Sequence, residues 1–162
     1  MLSARSRSTL CARSRLFGPP LAGVSTQVLR SEDVGRLGCI ANGWPYVVPV
    51  TYVNDGGSVY AHTGEGLKLR AMRENPRVCL EVEQMRSEAN WRTVVVRGRF
   101  EELSSEENDR ALALLTTRLT RTEMSETARL LQREDIVQRE GIRRPVLFRI
   151  RVEEKTGRFE LI

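Results

Sequence analysis

Asn42-Gly43 stands between two stretches of strand-like composition, and it is the strongest short-range hairpin signal in the chain. A two-residue hairpin loop of type I′ needs positive φ at both central positions, which Asn and Gly tolerate. The flanking strands are expected at Gly35 to Ala41 and at Pro45 to Val53. Asp55-Gly56-Gly57 is the next turn, and it leads into a third short strand, Ser58 to His62. Strands joined by turns this short pair antiparallel with their sequence neighbours, so the first third of the chain reads as an antiparallel meander.

The period changes after His62. Leu67 to Asn75 reads as a helix stopped at Pro76, and Arg77 to Gln84 reads as a fourth strand. Met85 to Asn90 is a polar connection. Trp91 to Leu103 is a long strand in which Gly98 marks a bulge. Ser104-Ser105-Glu106-Glu107 is a capping-box start, and Ala111, Leu112, Leu115 and Leu119 then recur at helical spacing. Met124 to Gln132 is expected as a second helix or turn within a polar region, Thr122 to Gly141, that has no clear period. Pro145 to Glu153 alternates, with Val146, Phe148, Ile150 and Val152 on one side. Thr156-Gly157 reads as a turn into a last strand, Arg158 to Ile162. The expectation is a mainly β fold: a small β-barrel of six to seven antiparallel strands with short α-helices, closed so that no sheet edge is left to aggregate.

Residues 1–26 are set apart from this domain of residues 27–162. The segment is rich in Arg and Ser and has no acidic residue. It reads as a basic disordered tail, an organellar targeting segment or an upstream extension from a misassigned start. Gln27 to Val34 reads as a short helix or lead-in. The net charge of +5 comes from residues 1–30, because residues 31–162 hold 21 basic and 21 acidic residues. A neutral folded part has no field to attract a polyanion, so no nucleic-acid partner is expected. No run approaches the roughly 20 apolar residues of a spanning helix, so no membrane partner is expected either. Cys11, Cys39 and Cys79 form no C-x-x-C pair, which fits a reducing, cytoplasmic setting, or an organelle if the tail is a targeting segment.

Two stretches carry chemistry. His62-Thr63-Gly64-Glu65-Gly66-Leu67-Lys68 holds the chain's one histidine at the end of a strand, then a glycine turn and a helix start. Free backbone N–H groups converge at such a place and favour an anion, most often a phosphate. Lys68 in the first turn opposes the helix dipole and makes more sense beside a negative charge. The competing reading is a surface turn with a solvated lysine and a histidine satisfied by a carbonyl. Pro49 is the second feature. It cannot donate to a ladder, so it belongs at an edge or bulge, where neighbouring backbone is open to solvent or to a planar ligand. With one histidine, scattered cysteines and no paired carboxylates, neither a catalytic triad nor a metal site can be assembled, and a cofactor would carry any demanding chemistry.

Taken in order, several segments resemble the flavin-binding split-barrel family related to pyridoxamine 5′-phosphate oxidase, in its nitroimidazole-resistance (Nim-type) branch. They are Gly35-Arg36-Leu37, Pro45-Tyr46-Val47-Val48-Pro49-Val50, Tyr60-Ala61-His62-Thr63 with Gly66-Leu67-Lys68, Asn75-Pro76-Arg77-Val78-Cys79, Arg92-Thr93-Val94-Val95-Val96-Arg97-Gly98 and Thr156-Gly157-Arg158. The resemblance implies a split barrel and a homodimer with flavin mononucleotide (FMN) in clefts between protomers. It implies that Val48, Pro49, Val50 and Thr51 lie beside the flavin ring. It places His62, Thr63, Gly66 and Lys68 at the phosphate, and Trp91, Arg92 and Thr93 at the flavin of the other protomer. It also implies an oxidoreductase acting on a small electron-poor substrate such as a nitroaromatic. His62 is the candidate proton source, because an ordinary imidazole titrates near neutrality. A haem- or flavin-holding stress-response dimer and a deazaflavin-dependent reductase are the alternatives. Leu67 stands where many relatives carry arginine. The chain also lacks the Arg-, His- and Trp-rich end of the true oxidases, so vitamin B6 oxidation is not expected.

Overall fold

The computed structural model describes residues 22–88, 90–119 and 145–161. In chain order the elements are α1 (Ala22–Ser31), β1 (Val34–Ala41), β2 (Trp44–Asn54), β3 (Ser58–Thr63), α2 (Leu67–Glu74), β4 (Arg77–Ser87), β5 (Asn90–Glu102), α3 (Ser105–Leu119) and β6 (Val146–Leu161). The six strands are antiparallel and close into a barrel in the order β1-β2-β3-β6-β5-β4. The expected mainly β barrel with short helices is therefore the observed fold.

The hairpin between β1 and β2 turns on Asn42 (φ 53°) and Gly43 (φ 77°), as its sequence requires. Alternation then sorts the side chains. Leu37, Cys39 and Ala41 of β1, Val50 and Tyr52 of β2, Leu80 and Val82 of β4, Val94 and Val96 of β5, and Phe148 and Ile150 of β6 fill the interior. Phe100 and Phe148 meet there with ring centroids 5.3 Å apart. Helix α1 covers one end of the barrel with buried Val28 and Leu29, and the Tyr52 hydroxyl donates to the Leu29 carbonyl at 3.0 Å. Helix α2 sits against β1 and buries Leu69, Ala71 and Met72. Helix α3 lies outside β2, β3 and β6, with Leu115 against Leu147. Half of the capping box forms: the Ser104 N–H donates to Glu107 Oε2 at 3.2 Å, while the Ser104 hydroxyl donates to that same oxygen at 3.1 Å and the Glu107 N–H goes to the Ser104 carbonyl at 3.0 Å.

Three expectations change. Helix α1 begins at Ala22, ahead of the lead-in read from Gln27, because burying Ser25, Val28 and Leu29 extends it. The polar stretch Met85 to Asn90 is largely ladder, with Met85 paired to Trp91 and Ser87 to Asn90. Thr156-Gly157 does not turn: β6 runs unbroken, Thr156 opposite Val95 and Gly157 opposite Val94, so the strands among the described residues number six. Gly98 does mark an irregularity, since the β5–β6 register shifts between Arg97 and Gly98. A Cβ at Gly98 would lie 2.1 Å from the Arg151 carbonyl oxygen, which explains the glycine. The readings for Thr122 to Gly141, including the helix or turn at Met124 to Gln132, lie outside the described residues, as does the segment before residue 22.

Candidate functional site

The barrel wall is incomplete at one place. β2 pairs with β1 from Trp44 to Thr51, but it pairs with β3 only at Tyr52, Val53 and Asn54. The Trp44–Thr51 run therefore has one edge unmatched by β3, and Pro49 sits on it. A cleft of about 340 Å³ opens there, within the usual size range of small-molecule sites. Its lining comes from Val34 of β1, Pro49, Val50 and Thr51 of β2, His62 and Thr63 of β3, Gly64, and Lys68 of α2.

The start of α2 supplies an anion-attracting wall. Its N-cap is Gly66, which offers no side-chain cap, and the first turn holds no acid. Arg70 is the first residue whose N–H returns to the helix, donating to the Gly66 carbonyl at 3.1 Å. The N–H groups of Leu67, Lys68 and Leu69 thus have no acceptor within the helix. The acid nearest in sequence, Glu65, is drawn to Arg73 at 3.4 Å. Lys68 has no carboxylate partner among the described residues. Burial pushes its ammonium below the usual value, and neighbouring Cys39 acts weakly the other way.

His62 is 8% exposed, and its Nδ1 is buried without a hydrogen-bond partner among the described residues. Burial, and then the charge of Lys68, pull its pKa down to about 4. The premise that this imidazole titrates near neutrality is thereby corrected: at neutral pH the ring is neutral and has no proton to spare. Thr63 is also buried, and its hydroxyl donates to the Gly64 carbonyl at 3.1 Å.

Six of the residues singled out from sequence come together in the cleft: Pro49, Val50, Thr51, His62, Thr63 and Lys68. Val48 adjoins it on β2, and Gly66 caps the helix behind it, but neither lines it. Trp91, Arg92 and Thr93 lie at the start of β5, away from this cleft. There the Trp91 indole donates to Glu160 Oε2 at 3.2 Å and the Thr93 hydroxyl to Glu81 Oε1 at 2.7 Å. Two lining residues were missed. Val34 reaches the cleft through its register opposite Thr51, and nothing local in the sequence signals that. Gly64 could have been taken from the turn it belongs to.

The residues fit a ligand with an apolar body and an anionic end. Val34, Pro49 and Val50 offer the apolar wall. Lys68, the free N–H groups and an orphaned imidazole nitrogen lie at the other end.

Residues 24–159 match the family model described as pyridoxamine 5′-phosphate oxidase. An uncharacterised protein of Rhizobium meliloti is 40% identical over 76 residues, 47% of this chain, so the match spans about half the length of that curated relative. Among solved structures, an FAD-binding protein of Mesorhizobium loti is 32% identical, with a TM-score of 0.66 over 86% of this chain and 95% of its own. Two more distant structures share the fold. A candidate 5-nitroimidazole antibiotic resistance protein of Bacteroides thetaiotaomicron is 20% identical (TM-score 0.64, 85% of this chain, 82% of that one). A heme-binding protein of Mycobacterium smegmatis is 16% identical (TM-score 0.66, 88% and 55%).

Proposed function

The chain belongs to the pyridoxamine 5′-phosphate oxidase family, and from that premise we propose that it is an FMN-holding oxidoreductase acting on a small electron-poor substrate, nitroaromatics among them. The observation that carries the reading is Lys68. It is a half-buried ammonium that, among the described residues, has no carboxylate partner, and it lies beside the uncapped start of α2 and an imidazole nitrogen that those residues leave unsatisfied. A phosphate supplies what each of these groups lacks.

In this reading Lys68, Thr63, His62 and the first-turn N–H groups hold the phosphate. The open edge of β2 at Val48 to Thr51 takes the planar ring. Val34 and Pro49 exclude water from the ring's side of the cleft. Bound flavin supplies hydride and single-electron transfer, and the protein binds and orients it. His62, buried beside Lys68, serves the phosphate end. The nitroaromatic class rests on the resemblance of Val34 to Leu103 to the Nim-type branch.

We further infer a homodimer. Ile40 (42% exposed), Val47 (60%) and Trp44 (77%) leave apolar surface on and beside the β1–β2 hairpin. Trp91, Arg92 and Thr93 lie outside the chain's own cleft, which leaves them for the cleft of a second copy. Among the described residues no helix is long and apolar enough to cross a membrane.

The test is the visible spectrum of the purified protein, with chromatography of what it releases on denaturation. A yellow protein releasing FMN supports the reading. Release of FAD instead would favour the second reading, to which the Mesorhizobium loti protein at 32% identity points. A Soret band would favour haem. A colourless protein that takes up no added flavin would overturn the proposal.

A further inference from the structure

The cleft is short of positive charge. Among the described residues that line it, Lys68 is the one cation. A phosphate monoester has a second pKa of about 6 and carries close to two negative charges above neutrality. First-turn N–H groups offset part of that, since a helix start is worth about half a charge. The one lining group able to gain a charge is His62.

The groups packed around His62 do not hold a proton on it. Helix α2 contributes Lys68, which repels a second cation. β1 contributes Cys39, close enough to act on Lys68 but buried and pushed up by burial as a thiol. β2 contributes Pro49, Val50 and Thr51, none of which titrates here. β6 places Leu147 opposite His62 in the ladder. Among the described residues no carboxylate is one of them, and Nδ1 has no partner.

We propose that binding of a phosphate monoester dianion in the cleft draws one proton from the solvent onto His62, so that the imidazolium becomes the second cation of the site. This rests on the flavin-phosphate reading above for the identity of the monoester. Without an anion, burial and Lys68 keep the ring neutral. A dianion reverses the electrostatic term, because an opposite charge within a few ångströms favours the charged form. The complex therefore carries one more proton than its separated parts. Affinity for the monoester falls as pH rises above neutrality, by up to about tenfold per pH unit while a full proton is taken up. A phosphate diester, with one charge per phosphate, draws the proton less.

Calorimetric titration at pH 7.5 in two buffers of different ionisation enthalpy measures this proton directly. The probes are FMN, riboflavin and inorganic phosphate. Uptake of close to one proton with FMN and with phosphate, and none with riboflavin, is the expected result. His62→Gln should abolish the uptake and weaken FMN binding about tenfold or more. His62 is the one histidine of the chain, so its ring resonances in the unsubstituted protein provide a second readout. They should move to imidazolium values on adding FMN at constant pH. FMN binding without proton uptake, or uptake that survives in His62→Gln, overturns the inference while leaving the flavin reading standing. Phosphate binding with one proton while FMN fails to bind supports the inference and overturns the flavin reading. Failure of both ligands to bind overturns both.

Discussion

Replacing Lys68 by methionine separates ligand binding from stability at a single position. The substitution keeps most of the side-chain volume and removes the ammonium. Hydrogen bonds to charged groups contribute about 1.5–3 kcal/mol each, which corresponds to a roughly 10- to 150-fold weaker affinity for FMN. The first-turn N–H groups remain, so binding should weaken and not vanish. The folded protein itself should not suffer. Lys68 has no ion pair to lose among the described residues, and burial already disfavours its charge. The melting temperature is therefore expected to stay level or rise. Removing the ammonium also relieves part of the pull on His62, whose ring should titrate above about 4 in the ligand-free variant. The control is Lys155→Met. Lys155 donates to the Gly56 carbonyl at 3.0 Å, in the turn between β2 and β3, and does not line the cleft. Quenching of FMN fluorescence gives the affinities, and differential scanning fluorimetry gives the melting points. Equal FMN affinities for the two variants would refute the assignment of Lys68 to the phosphate. A large fall in melting temperature for Lys68→Met would refute the claim that its charge does not stabilise the fold.

His62 should make stability depend on pH. Its folded pKa of about 4 lies below the ordinary 6.5, so the unfolded chain binds more protons between those values. The contribution is present in full above pH 6.5 and is lost as pH falls towards 4. It is on the order of 3 kcal/mol. Urea midpoints at pH 7 and pH 4.5 should fall further for the unsubstituted protein than for His62→Gln, and equal falls would count against it. Gly98→Ala should destabilise by about 2–4 kcal/mol, since its Cβ would meet the Arg151 carbonyl at 2.1 Å; a variant as stable as the parent in urea would show that the bulge relaxes freely. Phe148→Ala removes a fully buried ring that packs on Phe100 and should cost about 3–5 kcal/mol in the same assay; a loss below about 1 kcal/mol would mean that the cavity collapses.

The sequence is most legible where the physics is local. Asn42-Gly43 dictates its turn because few other residues accept positive φ twice in succession. Ser104 and Glu107 announce a helix start because both halves of the box lie within one turn. That His62, Thr63 and Lys68 share one cleft was readable for the same reason: they fall within one strand–turn–helix segment. What depends on pairing at a distance was not readable. Thr156-Gly157 has turn chemistry, yet the pairing of its neighbours with β5 holds it in a strand. Val34 enters the cleft only through its register opposite Thr51. The titration of His62 was misjudged because its residue type was visible and its burial was not.

β6 pairs with β3 on one side and with β5 on the other, joining Val59 to Ile150 and Phe100 to Ile150 in one rung. It is the staple that turns an open sheet into a cylinder, and it follows both of its neighbours in the chain. Until it arrives, β3 and β5 both expose unmatched hydrogen-bonding edges, the kind that recruit strands from other chains. The wall that carries His62 is one of those edges. Closure by contacts so remote in sequence is slow, so the chain passes through an interval in which these edges are open while all the cleft-lining residues, Val34 to Lys68, are already made. A small molecule that bridges β2, β3 and α2 in that interval would act as an assembly factor as well as a cofactor.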